Sequence, residues 1–363
     1  MSRKVRDFMG QYYDGTKLLS LKDRNGNVPE IYMCTTNRTG GKTTYFNRLV
    51  VKRFLEGKGK FAILYRFKYD LKDCADAFFK DIGSLFFPEY RMRSETRHDG
   101  TYYELFMYKA SETDTKNPGI SCGYAIAINS ADTIKKISHL FSDVNRIIFD
   151  EFQSESFNYC ADEVSKFISI HISIARGQGK QTRYVPVYMI SNFVTLLNPY
   201  YVEMDIATKL QTQTKFYKGD GFVLEQGWVE SAATALQESG FMQAFSRNKQ
   251  YDYSVKQGVY LSDNTCFVEK PEGTCKYVAT LRYKGRNFGV RAYYDTGVMY
   301  CDDRADVTFP LRLSVTTEDH RVNYVMLKSQ IEFIGKLRFF FDRGCFRFKN
   351  ILCKEAIMKA LSY

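Results

Sequence analysis

The sequence predicts an α/β domain built on a largely parallel sheet, followed by a smaller α+β domain. Three observations lead to this fold class. Apolar strands alternate with helices of 3.6-residue periodicity over the first 205 residues, the pattern of repeated strand–helix units. A glycine-containing loop joins the first of these strands to the first long helix. After about residue 256, short strands separated by turns replace the alternation.

The elements of the first domain follow one another in regular order. Asn25-Gly26-Asn27 predicts a turn that precedes the first strand. Short apolar runs predict six strands, at Ile31–Thr35, Phe61–Tyr65, Tyr102–Tyr108, Tyr124–Ile128, Arg146–Phe149 and Val185–Ile190. Apolar residues at helical spacing predict three helices, at Thr43–Glu56, Leu71–Phe86 and Val164–Ala175.

The remainder of the chain divides into two parts. Residues 206–255 are polar and only weakly periodic, which predicts a linker or a small lid region. Residues 256–363 form the second domain. Its predicted elements are strands at Tyr277–Tyr283, Asn287–Tyr294 and Gly297–Tyr300 and helices at Asn323–Arg338 and Ile351–Leu361.

Composition limits the class of protein. The chain has 363 residues, of which 44% are hydrophobic, so it can form more than one packed core. Its net charge of +11 is uneven, because residues 1–60 contain 13 Lys or Arg against 5 Asp or Glu, and a basic surface favours a polyanionic partner. The nine cysteines form no CxxC pair and indicate reduced thiols. No signal peptide and no membrane-spanning segment are predicted.

The loop after the first strand has the features of a phosphate-binding Walker A loop. Backbone N–H groups at a helix start can cradle the phosphates of ATP, Lys42 can lie between the β- and γ-phosphates, and Thr43 can bind Mg²⁺. The loop departs from the usual pattern at its first position, where Thr36 replaces glycine. An ordinary Gly-Gly turn is the alternative. The predicted nucleotide-binding residues are Thr36, Asn37, Arg38, Thr39, Gly40, Gly41, Lys42 and Thr43.

Two later strands end in polar residues that complete a Walker-type site. The strand Arg146–Phe149 leads into Asp150, a predicted Mg²⁺ ligand, and Glu151, a predicted general base. An Asp-Glu doublet is typical of the additional-strand, catalytic-glutamate branch of P-loop NTPases. Ser191 and Asn192 end the next core strand and are predicted to sense the γ-phosphate. The alternatives are two solvated carboxylates and a simple turn or helix cap.

These motifs together resemble the phi-29-type bacteriophage DNA packaging ATPases, which are terminase-like genome packaging motors. The resemblance extends over most of the chain. Its landmarks are Arg38 before Gly41-Lys42-Thr43, the run Ile147–Phe152, the pair Ser191-Asn192 followed by Asn198-Pro199-Tyr200, and Gly297–Tyr300.

The resemblance implies an ATPase that uses ATP and Mg²⁺ to move double-stranded DNA into a preformed capsid. It implies a homopentameric ring at the capsid portal, with a structural packaging RNA as a further candidate partner and no membrane partner. The expected location is the host cytoplasm, transiently at the portal vertex. The second domain is expected to have a ribonuclease-H-like fold that has lost its nuclease activity.

The resemblance also assigns roles to basic residues. Arg176 matches the family's arginine finger, which acts on the ATP of a neighbouring subunit, and Lys135 or Lys136 matches a second trans-acting position. Arg66, Lys68 and Lys72 match a segment that faces the ring pore and are predicted to contact DNA phosphates. A helix-capping role for Arg176 and a solvated loop for the other three are the alternatives.

Other functions stay open at this stage. An active nuclease would need several carboxylates around two metal ions, and the dense acidic set of the second domain comprises Asp295, Asp302, Asp303 and Asp306. A nucleotide-binding scaffold without motor activity and a helicase are further alternatives. The basic and aromatic stretch from Lys336 to Lys349 can bind nucleic acid or a capsid component, or its rings can belong to the core.

Overall fold

The computed structural model of the protein describes residues 12–111, 119–155, 158–207, 209–210, 214–244 and 266–363. The chain divides into two compact units. The first unit contains the described residues up to 153 together with 165–193 and the described part of 212–259. The second contains 154–164, 194–211 and the described part of 260–363. Short segments after the predicted catalytic strand and after the predicted sensor strand therefore belong to the second unit.

A nine-stranded sheet forms the first unit. Its spatial order is β3-β4-β5-β2-β6-β7-β1-β9-β8, and the five neighbouring pairs from β5 to β9 are all parallel, whereas β3-β4, β4-β5 and β8-β9 are antiparallel. The strands are β1 (Ile31–Thr36), β2 (Lys60–Tyr65), β3 (Tyr90–Arg97), β4 (Tyr102–Lys109), β5 (Ile120–Ala127), β6 (Val144–Asp150), β7 (Val187–Asn192), β8 (Phe216–Lys218) and β9 (Phe222–Gln226).

Helices connect these strands. The α-helices up to residue 244 are α1 (Thr16–Ser20), α2 (Lys42–Leu55), α3 (Cys74–Phe86), α4 (Ala131–Lys136), α5 (Glu163–Ala175), α6 (Pro199–Glu203), α7 (Glu230–Glu238) and α8 (Gly240–Ala244). Short 3-10 turns lie at Lys68–Leu71, Ile128–Ser130 and Ser138–Phe141. The three predicted helices correspond to α2, α3 and α5, although α3 begins three residues later than predicted because a 3-10 turn precedes it.

Burial explains why these segments form strands and helices. The central strands are covered on both faces, so they are continuous apolar runs, and Ile147, Ile148 and Phe149 of β6 are at most 1% exposed. Helix α2 places Phe46 and Val50 against the same core at helical spacing. The predicted α/β fold with a parallel core is confirmed. Strand β3 was not predicted, because its charged residues alternate with polar ones.

The prediction of a linker or lid over 206–255 is wrong for part of that segment. Strand β9 pairs in parallel with β1, with Ile31 opposite Phe222 and Thr35 opposite Gln226. All five residues of β9 are buried, including Glu225, which accepts a hydrogen bond from the Tyr13 hydroxyl at 2.7 Å. The sheet therefore extends beyond the predicted domain end at 205. Residues 245–255 of the segment lie outside the described residues.

The second unit contains a six-stranded sheet of order β14-β13-β10-β11-β12-β15. Strands β10, β11 and β12 form an antiparallel meander, and β13 and β14 continue the sheet in parallel beside β10. This order agrees with the expected ribonuclease-H-like fold. The elements are β10 (Cys275–Tyr283), β11 (Arg286–Tyr293), β12 (Val298–Asp302), β13 (Arg312–Ser314), β14 (Val325–Met326), a 3-10 turn (Leu327–Ser329), α9 (Ile331–Asp342), β15 (Phe346–Phe348) and α10 (Ile351–Leu361).

One predicted helix of the second unit differs from the structure. The segment Asn323–Arg338 was predicted as a single helix, but its first part forms β14 and a 3-10 turn, and α9 begins at Ile331. Pairing of Val325 with Leu313 of β13 holds this first part in the sheet. Among the described residues, no helix has the length and apolar character that crossing a membrane requires.

Candidate nucleotide site

Three neighbouring strands of the parallel sheet end at one edge and supply the polar side chains of the site. Strand β6 ends at Asp150, β7 ends at Asn192, and β1 leads into the loop that precedes Lys42 at the start of α2. Strands β6, β7 and β1 are consecutive in the sheet. The carboxyl ends of parallel strands are the usual position of ligand sites in such folds, and this topology brings the predicted Walker residues together.

The loop between β1 and α2 has a backbone that glycine makes possible. Gly41 precedes α2 with a φ of 87°, and an added Cβ there would meet the ring of Tyr12 at 3.0 Å. Thr39 also has a positive φ, of 59°. The tight path leaves the backbone N–H groups at the start of α2 available for phosphate oxygens.

Lys42 is held between the sheet strands that form the site. Its Nζ donates a hydrogen bond to Asn192 Oδ1 at 2.7 Å, and its side chain is only 7% exposed. Burial lowers the pKa of Lys42, and the nearby Asp150 carboxylate acts in the opposite direction. Ser191 does not reach the cavity. It is buried in β7, where its hydroxyl has no hydrogen-bond partner among the described residues.

Thr43 and Asp150 present oxygen ligands side by side. Thr43 Oγ1 donates a hydrogen bond to Asp150 Oδ2 at 2.9 Å. Burial raises the pKa of Asp150, and the neighbouring Glu151 carboxylate adds to this effect, while Lys42 opposes it. A hydroxyl and a carboxylate are ligands that Mg²⁺ prefers, so these two residues fit the predicted metal site.

Glu151 turns out of the sheet directly after Asp150. Its φ is 55°, an unusual value for glutamate, and its backbone N–H donates to Asp150 Oδ1 at 2.9 Å. The residue is exposed and lines the same cavity as Lys42 and Asp150. A carboxylate in this position can reach a water molecule beside the terminal phosphate.

The cavity at this edge has a volume of about 700 Å³, which is large enough for a nucleotide. A smaller aromatic cleft adjoins it and includes Tyr12, Tyr45, Arg48 and Phe86, with the Arg48 guanidinium 4.5 Å from the centre of the Phe86 ring. The lining residues of the larger cavity are Tyr12, Arg38, Thr39, Gly40, Gly41, Lys42, Thr43, Thr44, Asp81, Ser84, Leu85, Asp150, Glu151 and Asn192.

Several of these residues were not predicted. Tyr12 lies against the phosphate loop, and the backbone N–H of the next residue, Tyr13, donates to Gly40 O at 2.8 Å. Asp81, Ser84 and Leu85 come from α3. No motif marks them in the sequence. The pair Tyr12-Tyr13, two aromatic residues close before a turn in a polar segment, was the available signal.

Asn37 has a different role from the predicted contact with nucleotide. Its side chain donates to Val229 O at 3.0 Å and accepts from Val229 N–H at 2.9 Å, and it is only 4% exposed. Thr36 is also buried, and its hydroxyl donates to Asn37 O at 2.9 Å. Neither residue lines the cavity. Asn37 instead fastens the phosphate loop to the residue that precedes α7 by two hydrogen bonds, an arrangement named here the Asn37 clasp.

Arg66 lies beside the catalytic strand. Its guanidinium donates to Glu151 O at 3.3 Å and to Phe152 O at 3.0 Å, and it lies 5.7 Å from the centre of the Phe149 ring. These contacts differ from the predicted contact of Arg66 with DNA phosphate. The sequence shows a cation after β2, but the direction of its side chain depends on β6, the neighbouring strand.

Lys68 and Lys72 are both exposed, as a DNA contact requires. Lys68 Nζ donates to Asp99 O at 2.7 Å, which joins this loop to the turn between β3 and β4. The loop starts at the carboxyl end of β2, so it lies on the same edge of the sheet as Glu151.

Arg176 and the two lysines lie near one another at the opposite edge of the sheet. Helix α5 follows β6 and returns across the sheet, so Arg176 at its end lies near the start of β6. Its guanidinium donates to Ser138 Oγ at 3.3 Å, close in sequence to Lys135 and Lys136. Gln178 Nε2 donates to Ser142 O at 2.9 Å, which fixes the segment there. Arg176 and both lysines are exposed.

The acidic residues of the second unit do not converge on one point. Asp302 Oδ2 accepts from Arg291 Nε at 2.9 Å, and Asp303 Oδ1 accepts from Lys349 Nζ at 2.7 Å, which lowers the pKa of Asp303. Asp306 binds Thr308, and Asp295 accepts from the Thr274 backbone N–H. Within the described ranges, no group of three or more His, Cys, Asp or Glu side chains is arranged to hold a metal ion.

Comparison with known proteins identifies the family. The family model of the podovirus DNA encapsidation protein (Gp16) matches residues 9–361 of this chain. The DNA packaging protein of Bacillus phage phi29 is 22% identical over 314 residues, which cover 85% of this chain and 86% of that protein. The DNA packaging protein of Bacillus phage B103 is 23% identical over 318 residues, covering 86% of this chain and 91% of the relative.

Solved structures share the fold. The bacteriophage Phi-29 viral genome packaging motor assembly aligns with a TM-score of 0.54 and 21% identity, covering 96% of this chain and 99% of that one. The Phi-28 gp11 DNA packaging motor aligns with a TM-score of 0.56 and 14% identity, covering 97% and 98%. The family match covers nearly the whole chain, and the protein therefore belongs to the podovirus DNA encapsidation family.

Proposed function

We propose that this member of the podovirus DNA encapsidation family is an ATP-driven motor that moves double-stranded DNA into a preformed capsid. One observation carries the proposal. Lys42, Thr43, Asp150, Glu151 and Asn192 converge on one cavity of about 700 Å³ at the carboxyl ends of the parallel strands. A protein that only bound nucleotide would not need Glu151 exposed beside the metal-ligand pair.

ATP binds with its phosphates at the start of α2. The backbone N–H groups of the loop and the ammonium of Lys42 bind the β- and γ-phosphates, and Arg38 lines the same cavity. The adenine base fits the adjoining aromatic cleft, where the rings of Tyr12 and Tyr45 supply apolar surface. Thr43 and Asp150 hold Mg²⁺. When bound, Mg²⁺ neutralises charge on the phosphate oxygens.

Hydrolysis depends on Glu151 and Asn192. The Glu151 carboxylate accepts a proton from the attacking water, which lies in line with the bond to the leaving group. Asn192 now accepts the hydrogen bond of Lys42, and a γ-phosphate provides a stronger, anionic partner for that lysine. The state of the terminal phosphate therefore changes the hydrogen bonding of Asn192 at the end of β7.

Arg176 completes the site of a neighbouring subunit in a ring. It lies at the edge of the sheet opposite Glu151, so it cannot reach the ATP of its own chain. Lys135 and Lys136 lie near it and are exposed in the same way. A surface that donates cations and a different surface that receives them form a head-to-tail interface, which closes into a ring. We propose a homopentamer.

The motor binds DNA phosphates through Lys68 and Lys72 and works at the capsid portal in the host cytoplasm, with a structural packaging RNA as a candidate component. The second unit binds nucleic acid without cutting it, because Asp302 and Asp303 are paired with Arg291 and Lys349 and do not face one another across a metal site. An active nuclease is therefore less well supported than a motor that packages without cleavage.

A DNA-stimulated ATPase assay tests the proposal. We expect hydrolysis that rises on addition of duplex DNA and stops on removal of Mg²⁺ with EDTA. Lys42→Ala should weaken ATP binding, whereas Glu151→Gln should bind ATP and fail to hydrolyse it. Lys52→Ala is a matched control, since this lysine projects from the solvent side of α2. Normal turnover by Glu151→Gln would remove the proposed base, and hydrolysis that DNA leaves unchanged would favour a nucleotide-binding scaffold.

A further inference from the structure

The loop after β2 exposes two stacked aromatic rings. The rings of Phe67 and Tyr69 lie 5.2 Å apart with an angle of 12° between their planes. Tyr69 is 68% exposed, although Leu71, two residues later, is fully buried. An aromatic ring in such a position removes no apolar surface from water beyond its stacking contact, so the core does not account for its placement.

The loop is held in one conformation before any ligand binds. Asp70 Oδ2 accepts the Phe67 backbone N–H at 3.1 Å, and the Asp70 N–H donates to Phe67 O at 3.1 Å, which closes the 3-10 turn Lys68–Leu71. Lys68 Nζ ties the turn to Asp99 O, and Arg66 O accepts from Asn129 N–H at 3.2 Å. A preorganised aromatic contact loses little conformational entropy when it binds a partner.

The charges around the rings favour a polyanion. Arg66, Lys68 and Lys72 surround them along the chain. Of the two nearby carboxylates, Asp70 is turned inward to a backbone N–H and Asp73 directly precedes α3. Exposed aromatic rings among cations are the combination with which proteins hold nucleic-acid strands without reading their sequence.

We propose that Phe67 and Tyr69 form a platform on which one strand of the DNA packs, with the outer face of Tyr69 against deoxyribose and Lys68 and Lys72 on the adjacent phosphates. This inference rests on the proposed function and names a DNA contact of that motor. Arg66, which binds the backbone of Glu151 and Phe152, directly precedes the platform. DNA on the platform therefore lies one residue from a direct contact with the catalytic segment.

The test measures DNA affinity of the full-length protein by fluorescence anisotropy. The protein is saturated with a non-hydrolysable ATP analogue and titrated with a labelled duplex at several salt concentrations. Tyr69→Ala should weaken binding on the order of tenfold at every salt concentration, because the lost contact is not ionic. Lys72→Ala should instead reduce the slope of log K against log salt by about 0.9 for the lost phosphate contact. Tyr69→Phe should bind like the wild type, since the ring and not the hydroxyl makes the contact.

Tyr184→Ala is the matched control, because Tyr184 is another exposed tyrosine, 53% exposed, and precedes β7 at the opposite edge of the sheet. It should bind DNA normally. If folded Tyr69→Ala binds as tightly as the wild type, or loses ring assembly and not DNA affinity, the platform is wrong while the motor proposal stands. If the wild-type protein binds no duplex under any of these conditions, the proposed function itself fails, and the platform with it.

Discussion

Replacement of Arg176 by alanine tests the ring directly. We expect Arg176→Ala to bind ATP normally, because every residue that lines its own cavity is intact and Arg176 is not among them. Hydrolysis should fall by about 10³ to 10⁵, the contribution of arginine fingers in phosphoryl transfer. Lys180→Ala is the matched control, since this exposed cation lies in the same turn, where its backbone pairs with Gly177.

The separation within one chain follows from β6. Glu151 follows the last residue of this strand, whereas Arg176 and Gln178 contact Ser138 and Ser142 before its first residue. The seven residues of β6 span about 20 Å at 3.3 Å per residue, and a hydrogen bond requires about 3 Å. Arg176 therefore cannot act on the ATP of its own chain without a large rearrangement.

A mixing experiment distinguishes action in trans from action in cis. Rings assembled from equal amounts of Arg176→Ala and Glu151→Gln chains contain interfaces at which an intact Glu151 meets an intact Arg176. With random assembly about a quarter of the interfaces are of this kind in a head-to-tail ring. ATP hydrolysis should therefore recover in part, although each variant alone is inactive.

The opposite result has a clear meaning. If Arg176 acted in cis, every site of a mixed ring would carry one defect, and no activity would return. Failure to recover activity in rings shown by native mass spectrometry to be mixed would refute the trans assignment. It would leave Arg176 with a role at the end of α5, where a cation is favourable in any case.

Three further predictions follow from contacts of the described residues. Arg66→Ala should slow basal hydrolysis, measured without DNA, by one to two orders of magnitude, because two charged hydrogen bonds of about 1.5–3 kcal/mol support the left-handed Glu151 backbone; unchanged basal turnover would contradict this. Asn37→Ala should speed hydrogen exchange in α7 while Asn37→Asp, which keeps one of the two bonds to Val229, has a smaller effect, and equal exchange in both variants would disprove the clasp. The full-length protein should not nick plasmid DNA with Mn²⁺, and nicking that Asp302→Asn abolishes would restore the nuclease interpretation.

The sequence was sufficient for the parallel core and for most of the nucleotide site. Strands buried on both faces are apolar runs, and the Walker residues stand at strand ends that the parallel topology must bring together. Lys42, Thr43, Asp150, Glu151 and Asn192 were therefore predictable as one group. The same argument could not find Asp81 or Ser84, because cavity-lining positions on a helix carry no periodic signal of their own.

Features that depend on partners distant in sequence were not predictable. Strand β9 contains Glu225 and Gln226, which resemble loop residues until Tyr13 and β1 cover them. Arg66 resembles any loop cation, and only its neighbour β6 shows that its guanidinium meets two carbonyl oxygens. The side chain of Asn37 was expected to face phosphate, but its two bonds to Val229 turn it toward α7.

The hydrogen bonds of the site suggest how nucleotide state reaches the second unit. Lys42 is bonded to Asn192, whose strand ends one residue before the segment 194–211 that belongs to the second unit. In that segment Thr195 Oγ1 lies 3.4 Å from the buried Nζ of Lys354 in α10. When a γ-phosphate takes over Lys42, Asn192 loses its cationic partner, and the start of this segment is the first part of the chain that can respond. Hydrolysis and release of phosphate reverse the exchange. A two-state contact at Asn192, repeated once in each turnover, is the kind of element through which an ATPase site can drive a movement elsewhere in the chain.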